Sequence, residues 1–320
     1  MIQEKLNFKI IDICLDNTLN NNPTVFVVIA VFNRIENTRQ CLKYLHGQTF
    51  SPIQVIIIDD GSTDGTSEMI KNEFPKVHII YGDGKYWWAK SMNLGIDAAL
   101  KMSDNNDLIL TLNDDTIIDD RYIDIIVKES IKFPSTLIGS LNLIEGDPLK
   151  IFSAGGKYDL LFSNHIPNIN QNEIYDKELI NDYYETDFLP GRGTLIPIEV
   201  YKQIGVYDSE KFPQYIADEE FSFRAKNAGF ECIVSSKALI YVKKNTSGFE
   251  NIGSKLGIKD FIKSLNAINS TNNIKNRINF AKKYAKYSSL FIVINIGKML
   301  LYNFVSIIEH KIQIKFSKKI

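Results

Sequence analysis

Cysteine and histidine are scarce in this sequence of 320 residues, which has three Cys and four His. Cys14, Cys41 and Cys232 are far apart, odd in number and without CxxC spacing. A disulfide framework and a zinc site are therefore not expected, and the pattern is typical of a reducing compartment. The first residues are mixed and polar and lack the pattern of a signal peptide. From these absences we predict a cytoplasmic protein.

A glycine-rich phosphate-binding turn is also missing. The first strand-to-helix turn reads Ala30-Val31-Phe32-Asn33-Arg34, where a dinucleotide-binding Rossmann domain has GxGxxG. Bound phosphate groups would therefore need another source of positive charge, such as a cation. The absence also disfavours a nucleotidyltransferase that makes nucleotide sugars, because such an enzyme has a glycine-rich loop with Arg and Lys directly after its first strand.

What the chain does contain is ordinary in composition but uneven in charge. Apolar residues make up 44% and charged residues 23%, as in soluble globular proteins. The net charge of -1 conceals a basic C-terminal region. Residues 254–320 contain twelve Lys and one Arg against two acidic residues, so this region carries +11 and the rest of the chain -12. Such asymmetry indicates an anionic partner for the basic region, such as a membrane surface.

Four short apolar runs are predicted to form parallel strands. They cover residues 25–31, 55–58, 77–80 and 108–112, and segments of helical pattern lie between them. Short apolar runs bounded by polar loops are typical of a parallel sheet that is buried on both faces. The sequence therefore predicts an α/β fold with a mostly parallel central sheet flanked by helices.

The fourth apolar run leads directly into two carboxylates, Asp114 and Asp115. Ligands of open α/β sheets bind outside the carboxyl ends of the strands. A hard divalent cation prefers oxygen ligands and keeps waters and substrate phosphates among them. Metal binding is thus one interpretation of this pair. A turn or a helix N-cap, which Asn and Asp also favour, is the other.

Polar motifs follow the predicted strands and continue downstream. In chain order they read VVIAVFNR, IIIDDGSTDGT, GDGKYWWAKSMNLGI, LTLNDDT, LPGRGTLIPIEVYKQIGVYD and ADEEFSFRAKNAGF. Together they resemble the family 2 glycosyltransferases with the GT-A fold. The paired Trp before an Asn is most similar to the bacterial rhamnosyltransferase-type members. The resemblance covers residues 24–245.

The resemblance implies a division of the chain. Residues 1–22 are an N-terminal extension, and residues 23–250 are a GT-A catalytic domain with a Rossmann-like nucleotide-binding sheet. Within it, the nucleotide-sugar half covers about 23–117 and the acceptor half about 118–250. Residues 251–320 form a basic, helical C-terminal appendage.

The resemblance also implies the residues that bind the donor. The second Asp of the DDGS turn, here Asp60, contacts the nucleotide base. The last Asp of the DxD-type motif, here Asp115, holds a divalent cation, Mn²⁺ or Mg²⁺, on the diphosphate. Asn113 takes the first position of that motif, and Asn93 lies beside the ribose or the diphosphate. Further donor-side candidates are Ala30, Asn33, Arg34, Trp87, Lys90 and Asp114.

The resemblance further implies that the acidic motif of the second half supplies the general base. Asp218 matches it by its spacing to Arg224, Glu220 takes the second acidic place, and Glu219 lies between them. Inverting sugar transfer needs one base on the acceptor hydroxyl and no acid for the leaving group when a metal stabilises that group. Acidic residues also suit the N-terminus of a helix, and the two interpretations are compatible.

The sequence departs from the family at one point. Many relatives carry a His about 25 residues after the base, whereas Lys243 and Lys244 stand in that region here. Either Lys can meet the diphosphate instead. Adjacent Trp residues in the glycine-and-aromatic loop of residues 82–90 are core plugs or stack on a sugar or base. The candidates for acceptor or diphosphate contacts are Trp88, Gly191, Arg192, Gly193, Lys243 and Lys244.

The C-terminal region contains a nearly apolar segment, residues 290–308, interrupted by Asn295, Lys298, Asn303 and Ser306. A central Lys costs about 2.5–3.5 kcal/mol in a spanning helix, which disfavours a membrane span. Two interpretations stay open. The helix lies in a membrane interface, or it packs on the catalytic domain or across a homo-oligomer interface.

The sequence thus predicts an inverting glycosyltransferase that uses a nucleotide-diphosphate sugar. The acceptor would be a hydroxyl of a glycan or a lipid-linked glycan, in bacterial surface polysaccharide synthesis. The protein would be cytoplasmic, with a peripheral position on the membrane through its C-terminal region, and nucleic acid is not an expected partner. The alternatives are a sugar-nucleotide nucleotidyltransferase and a non-catalytic nucleotide-sugar-binding relative.

Overall fold

The structure, a computed structural model, describes residues 22–146, 148–243 and 258–317. In these ranges the strands are β1 (Val25–Val31), β2 (Ile53–Asp59), β3 (His78–Tyr81), β4 (Leu108–Leu112), β5 (Thr116–Ile117), β6 (Thr136–Ile144), β7 (Lys150–Ser153), β8 (Gly156–Asp159), β9 (Asn164–Pro167), β10 (Tyr183–Glu185), β11 (Thr194–Pro197) and β12 (Glu231–Val242). The helices are α1 (Ile35–His46), α2 (Thr66–Glu73), α3 (Trp87–Met102), α4 (Tyr122–Lys132), α5 (Ile198–Ile204), α6 (Ala217–Asn227), α7 (Ile258–Ser264), α8 (Ile274–Tyr284) and α9 (Ser288–Ser317). The predicted extension up to residue 21 and Lys244 lie outside the described residues.

The central sheet combines a parallel half with a mixed half. Its strand order is β10-β12-β6-β11-β4-β1-β2-β3. Strands β1 to β4 run parallel, as do β6 and β12, whereas β11 runs antiparallel between β4 and β6. β8 and β9 form a separate antiparallel hairpin. The predicted α/β architecture, a central sheet flanked by helices, is confirmed.

The register of the parallel half brings its strand ends to one edge. Val31 at the end of β1 pairs with Asp59 at the end of β2, and Ile29 pairs with Leu112 at the end of β4. The predicted bounds of β1 and β4 match the structure, because both runs are apolar throughout and polar residues begin where they end. The polar turns that follow these strands therefore meet at the same edge.

Both faces of the sheet are buried, and the side chains of β1 alternate between them. Phe26 and Val28 join the cluster beneath α3 and α6, whereas Val25, Val27 and Ile29 join the cluster beneath α1, α2 and α4. All five are fully buried. Burial of one such side chain stabilises a fold by about 1.5–3 kcal/mol, so these two layers hold the strand ends in place.

The prediction of a loop over residues 82–90 is wrong for residues 87–90, which are helical. α3 begins at Trp87, so both Trp residues lie in its first turn. The side chain of its N-cap residue, Tyr86, forms no capping hydrogen bond. Instead, the amide of Trp88 donates to the side-chain oxygen of Gln214 at 3.0 Å, and that of Ala89 donates to the carbonyl of Pro213 at 3.0 Å. Because these acceptors lie far away in the chain, the sequence carries no local signal for the helix start.

The C-terminal helices α8 and α9 pack on the part of the protein that contains the sheet. Phe280 and Ala281 of α8 and Phe291 of α9 belong to the same apolar cluster as Phe223 of α6. Within α9, Ser288–Ile308 is long and apolar enough to cross a membrane by length and composition, with a mean hydropathy of 1.8. Only 28% of that window is buried.

The predicted division of the chain into a nucleotide-sugar half, an acceptor half and a C-terminal appendage stays a prediction.

Candidate functional site

Polar turns after β1, β2 and β4 come together at the carboxyl edge of the parallel strands. The amide of Asp60 donates to the carbonyl of Val31 at 3.0 Å, and the amide of Asn33 donates to Ser62 Oγ at 2.8 Å. The amide of Thr63 donates to Asn33 Oδ1 at 2.7 Å. The turn after β1 is thus fixed by side chains rather than by glycine, as its sequence required.

Asn33 takes the conformation that glycine has in many such turns. Its φ is +52°, in the left-handed region that Asn tolerates better than most residues. Ala30 lies just before it, near the end of β1, where it pairs with Ile58. Roles of Ala30 and Asn33 in donor binding stay predictions.

Arg34 lies between the two carboxylates that follow β4. Its guanidinium approaches Asp114 Oδ1 at 3.3 Å and Asp115 Oδ2 at 3.2 Å. Asp114 is buried and accepts a hydrogen bond from Thr38 Oγ1 at 3.3 Å. Burial raises the pKa of Asp114 to about 6, Asp115 adds to the rise, and Arg34 opposes it. Asp114 is therefore turned into the protein, with Arg34 and Thr38 as its partners.

Asp115 offers the atom that fits a cation. Its Oδ1 is buried and has no hydrogen-bond partner among the described residues, a state that is costly unless another ligand supplies the missing contact. The described residues contain no group of three His, Cys, Asp or Glu side chains that could enclose a metal. A cation here would take one carboxylate from the protein and its other oxygens from phosphate and water, as Mg²⁺ does. The residues present fit such an ion.

Asp60 holds the loop that precedes α3. Its Oδ1 accepts from the amide of Gly84 at 3.0 Å, and its Oδ2 accepts from the amide of Tyr86 at 2.9 Å. Both carboxylate oxygens thus already have backbone donors. A contact between Asp60 and a nucleotide base stays a prediction, and the structure adds a second role, in which Asp60 orders the loop beside the strand ends.

The predicted donor residues of α3 differ in their surroundings. Trp87 is 39% exposed, whereas the ring of Trp88 packs against Tyr207, with ring centroids 5.1 Å apart. The ammonium of Lys90 lies 4.0 Å from the ring centroid of Tyr86. Asn93 exchanges two hydrogen bonds of 2.9 Å with the backbone of Tyr207. Asn93 therefore fixes α3 to the segment before α6, and its contact with the donor stays a prediction.

Two consecutive residues connect the strand-end carboxylate to the acidic motif. The amide of Gly191 donates to Asp218 Oδ2 at 2.9 Å, and the guanidinium of Arg192 lies 3.9 Å from Asp115 Oδ1. A Cβ at position 191 would lie 2.2 Å from the ring of Trp88, so only glycine permits this approach. The predicted metal residue and the predicted base thus lie at one site, and Gly191 and Arg192 form the bridge.

Asp218 and Glu219 lie in the first turn of α6. Asp218 Oδ1 accepts from the amide of Glu219 at 3.0 Å. Burial raises the pKa of Asp218, whereas the backbone donors and Arg192 oppose the rise. Burial also raises the pKa of Glu219 to about 7, with Asp218 adding to it and Arg277 opposing it. A carboxyl with a raised pKa is suited to exchange protons near neutral pH.

Glu220 does not join Asp218, and its predicted place as a supporting acid is corrected. It is fully buried and forms ion pairs with Arg224 at 3.1 Å and Lys283 at 2.6 Å. The hydroxyl of Tyr284 donates to Glu220 Oε1 at 2.7 Å. Its place on the helix, two residues after Asp218, turns it toward α8, so Glu220 anchors the C-terminal region instead of facing the site.

The remaining candidates lie at the margins of the site. Gly193 has a φ of +73°, and its amide donates to the carbonyl of Thr111 at 2.8 Å in β4. The carbonyl of Asn113 accepts from the amide of Thr116 at 3.2 Å, within the turn after β4. Lys243 directly follows β12. Roles in binding for these three residues stay predictions.

Two residues near the acidic motif were missed by the sequence analysis. Tyr207 is buried between Trp88 and Phe221, and the charge of Asp218 adds to the effect of burial in raising its pKa. Arg277 of α8 lowers the pKa of Glu219. Tyr207 lies within a quoted motif, which was a usable signal. Arg277 lies 58 positions beyond Glu219, and nothing in its local sequence points to the site.

Solved structures show which fold class this arrangement belongs to. The structure of GalNAc-T7 with UDP, GalNAc and Mn²⁺ matches with a TM-score of 0.57 and 15% identity, over 87% of this chain and 55% of that one. The mannosyltransferase PcManGT from Pyrobaculum calidifontis, in complex with GDP-Man and Mn²⁺, matches with a TM-score of 0.54 and 10% identity, over 90% and 74%. The fold is that of the GT-A glycosyltransferases.

Sequence comparisons lead to a particular family. Glycosyltransferase GlyA of Streptococcus pneumoniae is 25% identical over 116 residues, which are 35% of this chain and 16% of the relative. Glycosyltransferase GlyG of the same organism is 26% identical over 92 residues, 27% of this chain and 31% of the relative. The uncharacterized glycosyltransferase RP339 of Rickettsia prowazekii is 22% identical over 232 residues, 71% and 67%. The chain thus spans less than a third of the length of the first two relatives.

The family described as Glycosyl transferase family 2 matches residues 26–205. This range includes every strand of the parallel half, Asp115 and the bridge formed by Gly191 and Arg192. The chain therefore belongs to glycosyl transferase family 2, and the predicted family is confirmed. Its likeness to the rhamnosyltransferase-type members stays a prediction. The acidic motif on α6 lies beyond the matched range, so the assignment of Asp218 depends on the geometry described above.

Proposed function

We propose that the chain is an inverting glycosyltransferase that moves a hexosyl or deoxyhexosyl group from a nucleotide-diphosphate sugar to a hydroxyl of a glycan or lipid-linked acceptor. We further propose that it serves bacterial surface polysaccharide synthesis at the cytoplasmic side of the membrane. One observation carries the proposal: adjacent residues, Gly191 and Arg192, contact Asp218 and Asp115 respectively. This arrangement supports a donor diphosphate on one carboxylate and an acceptor hydroxyl on the other.

The donor side supplies positive charge without a glycine turn. Arg34 occupies one oxygen of Asp115 and leaves the other without a hydrogen-bond partner. Asp115 would hold Mn²⁺ or Mg²⁺ through this free oxygen. When bound, the ion would neutralise the diphosphate and stabilise it as a leaving group. The guanidinium of Arg192, which lies 3.9 Å from the same oxygen, would add positive charge for the phosphates.

The acceptor side supplies the base. Asp218 would take the proton of the acceptor hydroxyl as that oxygen attacks the sugar carbon. The amides of Gly191 and Glu219 hold its two oxygens at 2.9 and 3.0 Å, so the carboxylate has a fixed orientation. Asp218 must be ionised to accept a proton. Since its pKa is raised, transfer should fall with decreasing pH at a value above the usual range of an aspartate.

The solved structures support the class of donor. Their descriptions include UDP with GalNAc in one case and GDP-Man in the other, and both contain Mn²⁺. By analogy of fold, we propose that this chain binds a nucleotide-diphosphate sugar with a divalent cation. A nucleotidyltransferase would form such a sugar from a nucleoside triphosphate, and a non-catalytic relative would bind it without releasing the nucleotide.

A binding panel followed by a turnover assay separates these functions. Nucleoside diphosphates should raise the unfolding midpoint, more so with Mn²⁺, because ligands of the native state stabilise it. Nucleotide sugars should then release nucleoside diphosphate when a glycan acceptor is present. Release of pyrophosphate from a nucleoside triphosphate and a sugar phosphate would instead support the nucleotidyltransferase. Binding without release of either product would support the non-catalytic relative.

The base assignment has its own test. Asp218→Asn should lower kcat by about 10²–10⁴, the usual contribution of a general base, with little change in donor affinity. Asp182→Asn is a matched control, because Asp182 is exposed and paired with Lys237. If Glu219→Gln abolishes turnover and Asp218→Asn does not, the base is Glu219 and the assignment is wrong.

A further inference from the structure

Helix α9 turns its polar side chains toward the protein. The amide group of Asn295 donates to Ser163 Oγ at 2.6 Å, and its oxygen accepts from Arg277 at 2.6 Å. The ammonium of Lys298 donates to the carbonyl of Phe162 at 2.8 Å. Asn295 and Lys298, two of the polar residues that interrupt the apolar pattern of this helix, therefore contact α8 and the β8–β9 hairpin.

The outer face of α9 is apolar and exposed. Its residues recur at intervals of three and four, the spacing of one side of a helix. We define the outer face by Leu290, Val293, Leu301, Phe304, Val305 and Ile308, each of which is between 40% and 69% exposed. Gly297 lies on the same side, and a Cβ built there would meet nothing within 4 Å. The outer face of α9 is thus apolar although the protein does not cover it, whereas the inner side buries polar residues together with Phe291, Met299 and Ile307.

Basic residues flank this face in the sequence. In sequence, Lys282 and Lys286 precede the apolar segment, and Lys311 and Lys315 follow it within α9. Both Lys282 and Lys286 are exposed. No acidic residue occurs between positions 261 and 308. An apolar helix face with basic residues near both ends is the pattern of a helix that lies in a membrane interface, and each Lys near an anionic surface adds attraction.

We propose that the outer face of α9 binds the surface of a bilayer that contains anionic lipid, with the helix lying in the plane of the interface. A spanning position would require α9 to leave the protein and break the hydrogen bonds of Asn295 and Lys298. The bilayer instead covers the side that the protein leaves exposed. This proposal does not depend on the proposed catalysis, because binding to a lipid surface requires no turnover.

A second copy of the chain is the competing occupant of this face. Pairing two α9 helices would bring together two segments that each carry a net charge of +11 over residues 254–320, and like charges oppose such contact. The outer face also includes Phe304 and Val305, which are neighbours in sequence, so it is wider than the narrow seam of a coiled coil. Both features favour a broad anionic surface.

The bound surface would lie near the acidic motif. Asn295 of α9 bonds Arg277 of α8, and Arg277 acts on the pKa of Glu219, the neighbour of Asp218. At the tip of the β8–β9 hairpin, Leu161 and Phe162 are also exposed, next to Lys298. A membrane-bound α9 would thus present this side of the protein to an acceptor carried by lipid.

Flotation of the full chain with vesicles tests the proposal. It should float with phosphatidylcholine vesicles that contain phosphatidylglycerol, should not float with phosphatidylcholine alone, and should be released at high salt, because salt screens the attraction. The double variant Leu301→Glu with Phe304→Glu should lower binding by about tenfold for each lost apolar side chain. Ile131→Glu on α4, an equally exposed apolar site, should float as the wild type does.

A second variant keeps the test decisive if the double variant misfolds. Lys282→Glu with Lys286→Glu leaves the outer face intact and should remove the preference for anionic vesicles. Flotation with neutral vesicles that resists alkaline carbonate would show a spanning helix and overturn the proposal. A chain that does not float overturns it too. If light scattering then shows a dimer that Phe304→Glu splits, the second copy is the occupant.

Discussion

The parallel half of the sheet and helix α9 have opposite relations between polarity and burial. In β1 and β4 the apolar residues are buried, and polar residues begin where each strand ends. In α9 the polar Asn295 and Lys298 contact the protein, whereas Leu301 and Phe304 are exposed. A hydrophobic pattern therefore predicts which side of a strand or helix faces the protein only when the protein itself covers the apolar side.

Truncation of one apolar side chain in each region should give the largest contrast. Ile57→Ala in β2 should lower the free energy of unfolding by about 2–5 kcal/mol, because Ile57 is fully buried and leaves a cavity. Leu301→Ala in α9 should change it by less than about 0.5 kcal/mol, as for other exposed sites. Urea unfolding of both variants measures this. Equal losses would mean that α9 buries its outer face within the protein.

In α9, truncation of a hydrogen-bonded polar side chain should lower the free energy of unfolding more than truncation of an exposed apolar one. Asn295→Ala should lower the free energy of unfolding by about 1–3 kcal/mol, because it removes the hydrogen bond of Arg277, whose Nε already lacks a partner among the described residues. Val293→Ala, two positions away and 69% exposed, serves as the control and should be close to neutral. If Val293→Ala costs more than Asn295→Ala in urea unfolding, the inner and outer faces have been interchanged.

Substitution of Glu219, in the first turn of α6, should change the free energy of unfolding least. Its pKa is about 7 in the folded state against 4.5 ordinarily. Between these values the folded protein holds a proton that the unfolded chain releases, so the free energy of unfolding falls as pH rises through this window. Glu219→Gln removes this pH dependence. The free energy of unfolding of the variant minus that of the wild type should therefore be larger at pH 8 than at pH 5, by on the order of 1 kcal/mol, since the partial exposure of Glu219 weakens the shift. Unfolding midpoints that differ equally at both pH values would contradict the assignment.

The sequence predicted the parallel half closely. β1 and β4 have the predicted bounds, and Asp60 and Asp115 lie at the expected strand ends. This succeeded because the determining pattern is local: each strand is an apolar run, and each turn begins with a polar residue. The order of the motifs added the family, which no single motif specified.

The rest depended on contacts between distant parts of the chain. The start of α3 at Trp87 needs acceptors at Pro213 and Gln214. Glu220 is an anchor because Lys283, 63 residues away, reaches it. No local pattern encodes such partners. Spacing to Arg224 predicted Asp218 as the base, which stays a prediction, but the same spacing did not show that Glu220 has its partners on α6 and α8.

The orientation of α9 also depends on contacts between distant parts of the chain. Asn295 finds Ser163 at a separation of 132 residues, and this contact determines which face of the helix is inside. From sequence alone, an interfacial helix and a packed helix were equivalent interpretations. The structure shows that α9 packs through one face and leaves the other exposed.

The most direct test of the account is the affinity for a nucleoside diphosphate, measured by titration calorimetry with and without Mn²⁺. We expect Mn²⁺ to tighten binding by about tenfold or more in the wild type. The control Asp120→Asn should show the same gain, because Asp120 is exposed and lies eight positions after the end of β4. In Asp115→Asn the gain from Mn²⁺ should vanish while the unfolding midpoint of the free protein stays unchanged. A variant that keeps the full gain would contradict the assignment of Asp115 and, with it, the proposed use of the strand-end site.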